Sequence, residues 1–254
     1  MIISDAIVKD VQALSSSIFL MQLTAPEISS IIKPGQFLNI KADSLSFPLL
    51  RRPFSVCDVN GDSFSVMFDI HGLGTKLLSE KKQGDVLNLI GPLGNGFSTH
   101  GDFDLAIMIA GGLGIAPFPF LAKSFDKSVS QFLFYGARNN EYIVEYPGLI
   151  KPFIATDDGS LGEKGNVLEL LKNNKEIFNG KKVKLFVCGP TPMLRAIAEF
   201  ALAEDLDCEV STECAMACGF GICQGCPIES KIHPETYALV CKDGPVFNVK
   251  EVVI

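Results

Sequence analysis

Basic residues are scarce in this sequence. Its 254 residues include 22 Lys and Arg against 29 Asp and Glu, which gives a formal net charge of −7 and a pI near 5.0. Only four positions are arginine, and no run of basic residues occurs along the chain. Because a nucleic-acid groove needs a concentrated basic surface, the composition argues against that class of function. The acidic balance is typical of a soluble protein.

Targeting segments are also missing. The first residues have neither a basic start nor a long apolar segment, so we expect no signal peptide and a cytoplasmic location. The run 105–122 has 18 uncharged residues, the length at which a membrane helix becomes a candidate. Three glycines and two prolines interrupt it, which favours a buried strand, a tight turn and the start of a helix.

The first part of the chain, residues 1–100, is rich in short predicted strands. Pro and Gly turns separate them, and part of the run 63–70 alternates polar and apolar residues, as a half-buried strand does. Several short strands at close spacing predict a small antiparallel β-barrel. The clearest strands are 18–23, 37–41, 54–59 and 64–70.

Residues 101–207 have a different pattern, in which apolar runs alternate with helix-like stretches. This rhythm predicts a Rossmann-like α/β domain with a mostly parallel sheet. The predicted strands are 105–110, 132–135, 153–156 and 183–188, and the clearest helices are 166–171 and 192–204. A third unit, 208–254, is a small module rich in Cys and Gly. We therefore predict a multi-domain β plus α/β protein with these three domains.

The third unit contains a cysteine motif, Cys218-x4-Cys223-x2-Cys226-x14-Cys241. This is the plant-type spacing of [2Fe–2S] proteins, and thiolate is the soft ligand that such clusters select. Glycines between the first three cysteines allow the sharp bends that wrapping a cluster requires. A zinc site and two disulfides are the alternatives. Cys214 lies just outside the spacing and is a rival ligand or a plain thiol.

A second motif is the string LLRRPFSV at 49–56. Its Arg52-Pro53-Phe54-Ser55 resembles the flavin-binding motif of the ferredoxin–NADP reductase superfamily. Arg52 offers a planar fork of donors for a pyrophosphate. Phe54 offers an apolar face beside a flavin, and Ser55 offers a hydroxyl for the isoalloxazine edge.

The string DIHGLGTKLLS at 69–79 supports the same interpretation. A glycine turn that leads into a helix presents free N–H groups to phosphate. The resemblance implies that this segment binds the rest of the FAD diphosphate. The positions concerned are Asp69, Ile70, His71, Gly74 and Thr75.

Two further loops indicate a nicotinamide dinucleotide site. Gly111, Gly112 and Gly114 follow an apolar strand in IAGGLGIAPF, which resembles the GGxGIAP loop of the superfamily. In FVCGPTPML, Cys188-Gly189-Pro190 end a strand. The resemblance implies that this loop lies beside the nicotinamide, with Cys188 near the hydride path. It also favours NAD, although Arg138 in YGARNN could meet a 2′-phosphate.

Taken in order, these motifs resemble the family of electron-transfer subunits of two-component, NAD-linked dihydroorotate dehydrogenases. The tail CKDGPVF at 241–247 is the most specific part of the likeness. The resemblance implies that an FMN-containing dihydroorotate dehydrogenase partner supplies electrons, which pass through [2Fe–2S] and FAD to NAD. It also implies a heterotetramer of two of each subunit.

Two other functions remain open at this stage. One is the flavin and cluster subunit of an NADH-dependent ferredoxin:NADP oxidoreductase or a sulfide dehydrogenase, which has the same domain order. The other is a redox-sensing protein whose cluster controls partner docking. For an electron-transfer subunit we expect no dihydroorotate site on this chain, and exposed apolar surface around the cluster module.

Overall fold

A computed structural model of the protein describes residues 1–42, 47–233 and 235–254. No helix within these ranges is both long enough and apolar enough to cross a membrane. The apolar run 105–122 forms a buried strand, a 3₁₀ turn at Gly112–Ile115 and most of a short helix. The prediction of strand, turn and helix for this run is therefore confirmed.

The first part of the chain is a closed antiparallel barrel. Along Val86–Leu93, less buried and buried residues alternate, because one face packs on the barrel core and the other faces outward. The strands are β1 (Ile2–Ala13), β2 (Ile18–Thr24), β3 (Phe37–Ile40), β4 (Arg52–Asn60), β5 (Ser63–Asp69) and β6 (Val86–Leu93), with α1 (Pro26–Ser29) and α2 (Leu73–Ser79) between them. They close in the order β1-β2-β5-β4-β3-β6.

The second part is a sheet covered by helices. Its central strands are almost continuously apolar and fully buried, as parallel strands covered on both faces require. The strands are β7 (Leu105–Gly111), β8 (Ser130–Ala137), β9 (Phe153–Thr156), β10 (Glu163–Lys164), β11 (Val183–Cys188) and β12 (Asp207–Ser211). The helices are α3 (Phe118–Ser124), α4 (Val167–Asn173) and α5 (Thr191–Ala203), with 3₁₀ turns at Asn140–Tyr142 and Lys175–Phe178.

The C-terminal segment adds three short strands, β13 (Pro227–Glu229), β14 (Tyr237–Leu239) and β15 (Val246–Asn248). The first two form a separate antiparallel pair. The third joins the large sheet, whose order is β10-β9-β8-β7-β11-β12-β15, and pairs antiparallel with β12. The fold class predicted from the sequence is confirmed, and the division at residues 100 and 207 stays a prediction.

Polar contacts join the barrel to the sheet. Asp58 on β4 is 9% exposed, accepts a hydrogen bond from Tyr146 Oη at 3.1 Å, and forms an ion pair with Lys123 of α3. A second contact joins the segment after β6, where the Ser98 N–H donates to Glu209 of β12 at 2.9 Å. These contacts join the barrel and the segment after it to α3, Tyr146 and β12.

Candidate functional site

A cleft lies between the barrel and the carboxyl ends of the parallel strands. Its cavity has a volume of about 240 Å³. In open α/β sheets, this edge is where ligands bind. The cleft brings together residues from three separate motifs of the sequence, namely Pro53, Phe54, Ser55, Asp69, His71, Thr75 and Cys188.

Arg52 lies where β4 begins and contacts the start of α2. A Cβ at Gly74 would lie 2.8 Å from Arg52 Nε, so glycine is what allows the guanidinium to lie against this turn. Arg52 Nη1 also donates to the carbonyl of Leu50 at 2.6 Å. The two predicted flavin segments, far apart in sequence, therefore meet through this arginine.

The turn before α2 is held by its own side chains. The His71 N–H donates to Thr75 Oγ1 at 2.9 Å, and His71 Nε2 lies 3.5 Å from Asp69 Oδ2. The other carboxylate oxygen, Asp69 Oδ1, is buried and receives no hydrogen bond from any described residue. Because buried acceptors are normally paired, this oxygen is available to a donor on a ligand in the cleft. Ile70 follows β5 and is half-buried, and it is not among the cleft-lining residues.

The two predicted nucleotide loops pack directly on each other. A Cβ at Gly114 would lie 2.1 Å from the carbonyl oxygen of Cys188, and one at Gly189 would lie 3.0 Å from the Cα of Gly111. Pro190 contacts the same loop, because a Cβ at Gly111 would lie 2.8 Å from its Cδ. Gly114 therefore needs glycine, because the facing backbone leaves no room for a Cβ, whereas the nearest atoms at Gly111 and Gly189 belong to the Met193 side chain.

Gly112 has a different requirement. Its φ of +52° lies in the left-handed region, and apart from its chain neighbours no atom of the described residues lies within 4 Å of where a Cβ would be. This glycine is needed for the backbone turn that starts the 3₁₀ segment.

Cys188 is buried at the end of β11 and lines the cleft. Burial, followed by the nearby Glu213 carboxylate, raises the pKa of the Cys188 thiol to about 12. The side chain is therefore a neutral thiol at physiological pH. It can pack against a bound ring, but it does not bring a charge into the cleft.

Sequence reasoning missed Glu213, which also lines the cleft. Desolvation by the surrounding walls raises the pKa of its carboxyl, an effect that His71 partly offsets. Glu213 follows β12, and the pairing of Ser211 with Cys188 in the sheet brings it to the cleft, which no local sequence pattern indicates. Phe37 and Met216 line the cleft as well and were also missed.

The cysteines of the motif form two pairs. Cys226 and Cys241 are buried with their sulfurs 3.2 Å apart. Cys218 Sγ accepts the Cys223 N–H at 3.4 Å, and its thiol also contacts that of Cys223. Within the described ranges, no three His, Cys, Asp or Glu side chains surround a single-ion site. None of the eight cysteines is in a disulfide.

The electrostatics differ between the two pairs. Although burial opposes the effect, hydrogen bonds from the backbone N–H groups of Cys223 and Phe220 lower the pKa of the Cys218 thiol to about 6. Burial and the adjacent Cys226 raise the pKa of Cys241 to about 12. Cys214 also lies beside Cys226, and burial followed by that neighbour raises its pKa to about 11. Two thiol pairs suit two irons, and bound iron would hold all four sulfurs as thiolates.

Comparisons with known proteins agree with this arrangement. A family model of the iron-sulfur cluster binding domain of dihydroorotate dehydrogenase B matches residues 213–253. The electron transfer subunit of dihydroorotate dehydrogenase B (NAD(+)) from Desulforamulus reducens is 36% identical over 98% of this chain and 97% of its own length. The subunit of the same name from Caldanaerobacter subterraneus subsp. tengcongensis is 37% identical over 87% of each chain. This chain belongs to the family of dihydroorotate dehydrogenase B electron transfer subunits.

A solved structure extends the likeness to the whole fold. The NADH-dependent reduced ferredoxin-NADP oxidoreductase, studied for flavin-based electron bifurcation, has a TM-score of 0.83 and 26% identity. The match covers 98% of this chain and 89% of that one. The present electron transfer subunit therefore shares its barrel, sheet and C-terminal module with a flavin enzyme of another activity.

The predicted apolar surface around the cluster module of this electron transfer subunit is confirmed. Ile222, next to Cys223 in the cluster loop, is 76% exposed, and Tyr237 and Ile232 are 68% and 56% exposed. Cys57 and Cys208 are fully buried, as expected of structural thiols.

Proposed function

We propose that this chain takes electrons from an FMN-containing dihydroorotate dehydrogenase partner and delivers them to NAD+, with a [2Fe–2S] cluster and FAD as its carriers. The observation that carries the proposal is the full-length match to electron transfer subunits, combined with a cluster-domain match at the cysteine motif. A flavin can exchange electrons singly or in pairs, so it joins a one-electron cluster to a two-electron nicotinamide.

The cleft suits FAD. Arg52, held at the start of α2, would bind the diphosphate, and Ser55 and the Phe54 ring would face the flavin. Asp69 Oδ1, which has no donor among the described residues, would accept a hydrogen bond from the bound group. Thr75 is engaged by the backbone of its own turn, so its role would be to keep that turn in shape.

The loops at the sheet edge suit a nicotinamide dinucleotide. Gly111, Gly112 and Gly114 would let the backbone approach the pyrophosphate closely, since a side chain at two of these positions would clash with the facing loop. Gly189 and Pro190 would form the other wall. Cys188, neutral and buried, would exclude water beside the nicotinamide ring.

The four motif cysteines would hold the cluster, with Cys218 and Cys223 on one iron and Cys226 and Cys241 on the other. Only the first pair is near the surface, because Cys223 is exposed and Cys226 and Cys241 are buried. An approaching partner would therefore meet the cluster from the side of Cys223 and Ile222.

The remaining parts of the proposal concern the partner. The pyrimidine substrate would bind on the FMN-containing subunit and not on this chain, and two copies of each subunit would form a heterotetramer. We also propose a cytoplasmic location, a compartment in which thiols stay reduced. Eight cysteines without a disulfide are compatible with it.

A second candidate is the flavin and cluster subunit of an NADH-dependent ferredoxin:NADP oxidoreductase, because a structure of that name matches 98% of the chain. The test is to purify the chain with its partner anaerobically and assay two reactions. Reduction of NAD+ by dihydroorotate supports the proposal. Reduction of ferredoxin with NADPH, without any reaction of dihydroorotate, supports the second candidate.

A third outcome would support a redox sensor. In that case the cluster signal is present, but NADH does not reduce the flavin on the timescale of turnover. Visible and EPR spectra of the same sample check the cofactors directly, since a flavin and a reduced [2Fe–2S] cluster each give their own signal.

A further inference from the structure

Strand β3 contacts both the flavin cleft and the cluster loop. All four of its residues are buried. Leu38 and Ile40 pack in the barrel core, whereas Phe37 packs with Cys226 and Cys241 and lines the cleft. Side chains alternate along a strand, so Asn39 leaves the barrel on the same side as Phe37. The cluster module therefore packs against the outer face of β3.

Asn39 makes the one polar contact of this face with the cluster loop among the described residues. It is 2% exposed, and its Nδ2 donates to the carbonyl oxygen of Cys218 at 3.0 Å. The next residue, Gly219, has φ +78°, and a Cβ there would lie 1.9 Å from Asn39 Nδ2. The amide therefore lies directly on the Cys218–Gly219 peptide.

The cost of this arrangement indicates a specific role. Asn39 Oδ1 is buried, and none of the described residues donates to it. A buried amide with an unpaired oxygen is unfavourable compared with an apolar side chain of the same shape. A hydrophobic residue at position 39 would pack against the module at a lower free-energy cost. The one thing that it could not supply is the hydrogen bond to the Cys218 carbonyl.

The same strand carries the flavin motif on its other side. In the register of β3 with β4, Asn39 lies opposite Pro53, and Phe37 lies opposite Ser55. If the cluster loop moved relative to Asn39, its distance from the proposed flavin-binding residues on β4 would therefore change as well. One backbone hydrogen-bond ladder connects the two sites.

We propose that Asn39 is a positioning residue for the electron step between the cluster and the flavin. It fixes the Cys218 carbonyl to the barrel and so holds the Cys218 sulfur under the N–H of Cys223, 3.4 Å away. Hydrogen bonds to cluster sulfurs tune the reduction potential. The step itself moves one electron from the reduced cluster to the oxidised flavin, with no bond made or broken. This inference rests on the proposed function.

The test compares two variants of the full complex with a control. Asn39→Leu keeps the approximate size and removes the donor, and Asn39→Asp keeps the shape and replaces the donor by an acceptor. Asn60→Asp adds the same charge at an exposed position at the far end of β4. Each holoprotein is titrated electrochemically, with the reduced cluster followed by EPR and the flavin by its visible absorbance.

The inference predicts that Asn39→Leu lowers the equilibrium constant for cluster reduction by about five-fold, the factor that one hydrogen bond is worth. This is about 40 mV at 59 mV per tenfold change for one electron. Asn39→Asp should lower it further, because the carboxylate disfavours the added electron. Hydrogen exchange at 219–223 should become faster in both, and Asn60→Asp should match the wild type.

A purely structural role would lower the melting temperature of both variants and leave the cluster potential and EPR signal unchanged, which would overturn the inference. A potential shift in Asn39→Asp alone would also overturn it, since charge would then explain the effect without positioning. If Asn39→Leu does not fold, faster loop exchange together with the lower potential in Asn39→Asp supports the inference, and unchanged exchange refutes it. Absence of a cluster or flavin signal in the wild type would instead refute the proposed function.

Discussion

Replacement of Gly114 by alanine should separate the two loops of the proposed nucleotide site. A Cβ there would lie 2.1 Å from the Cys188 carbonyl oxygen, 2.5 Å from its carbon and 2.8 Å from the Cα of Gly189. All three are backbone atoms, so no side-chain rotation relieves the clash. Since real Cβ contacts stay above 3.0 Å, the loops must move apart by at least 3.0 − 2.1 = 0.9 Å.

A displacement of this size has two expected consequences. Misplacing reacting groups by about 1 Å can lower a rate by about 100-fold, so reduction of the bound flavin by NADH should slow by about this factor in Gly114→Ala. Overpacking of a close contact costs about 1–3 kcal/mol of stability. Stopped-flow absorbance measures the first quantity, and denaturant unfolding measures the second.

Gly61→Ala is the matched control, because it separates stability from catalysis. Gly61 lies in the turn between β4 and β5 with φ +58°, and beyond its chain neighbours the structure describes no atom within 4 Å of its Cβ position. The left-handed backbone should cost about 1–2 kcal/mol, with no change in the hydride rate.

A milder variant covers the case in which Gly114→Ala does not fold. The nearest atom to a Cβ at Gly189 is the flexible end of Met193, 2.5 Å away. Gly189→Ala should therefore fold and slow flavin reduction by a smaller factor. Reduction at the wild-type rate in Gly114→Ala would refute the assignment of these loops to the nucleotide.

Three further predictions follow from the site. Arg52→Ala should weaken FAD binding by about 10- to 100-fold through loss of charged hydrogen bonds. Arg51→Ala should leave FAD binding unchanged, because the Arg51 guanidinium donates to the Asn88 carbonyl at 2.7 Å. Titration with flavin measures the affinity of both variants. In the apoprotein at pH 7, iodoacetamide should modify Cys218, with a pKa of about 6, before Cys241, with a pKa of about 12, as checked by peptide mass spectrometry. Burial raises the pKa of Glu213 in the folded protein above its unfolded value of about 4.3. The wild type should therefore lose stability as the pH rises from about 4.3 through the folded-state pKa. Glu213→Gln should have a higher denaturation midpoint than the wild type at pH 8 and an equal one near pH 4.

Much of the fold could be predicted, because its strands are local patterns. Val183–Cys188 and Phe153–Thr156 form strands with the predicted bounds, since each is a short apolar run that ends at a turn. Asn166 caps α4, and its side chain accepts the Glu169 N–H at 3.0 Å, so the helix begins where the sequence indicated. The long strand β1 was missed because most of its residues are exposed or half-buried, which gives it no continuous apolar signal.

The residues of the candidate site likewise divide into those that a local sequence pattern indicates and those that only the folded structure reveals. The cysteine spacing and the glycine loops are short-range patterns whose chemistry can be read directly from the chain. Glu213 and Asn39 could not be found by such patterns, because their positions depend on strand register and on how the module packs. Glu213 reaches the cleft only because β12 lies beside β11, and Asn39 reaches Cys218 across 179 positions of sequence.

The strand order explains why the cluster module is tied to the proposed nucleotide site. Ser211 pairs with Cys188 on one side and with Val246 on the other, so β12 lies between β11 and the last strand of the module. The chain then lines the cleft with Glu213 and reaches Cys218 seven positions after Ser211. A cluster carried on a flexible tether would be free to move relative to the flavin, whereas here the module completes the sheet whose edge forms the cleft. Loss of this module would therefore remove a wall of the cleft as well as the four motif cysteines.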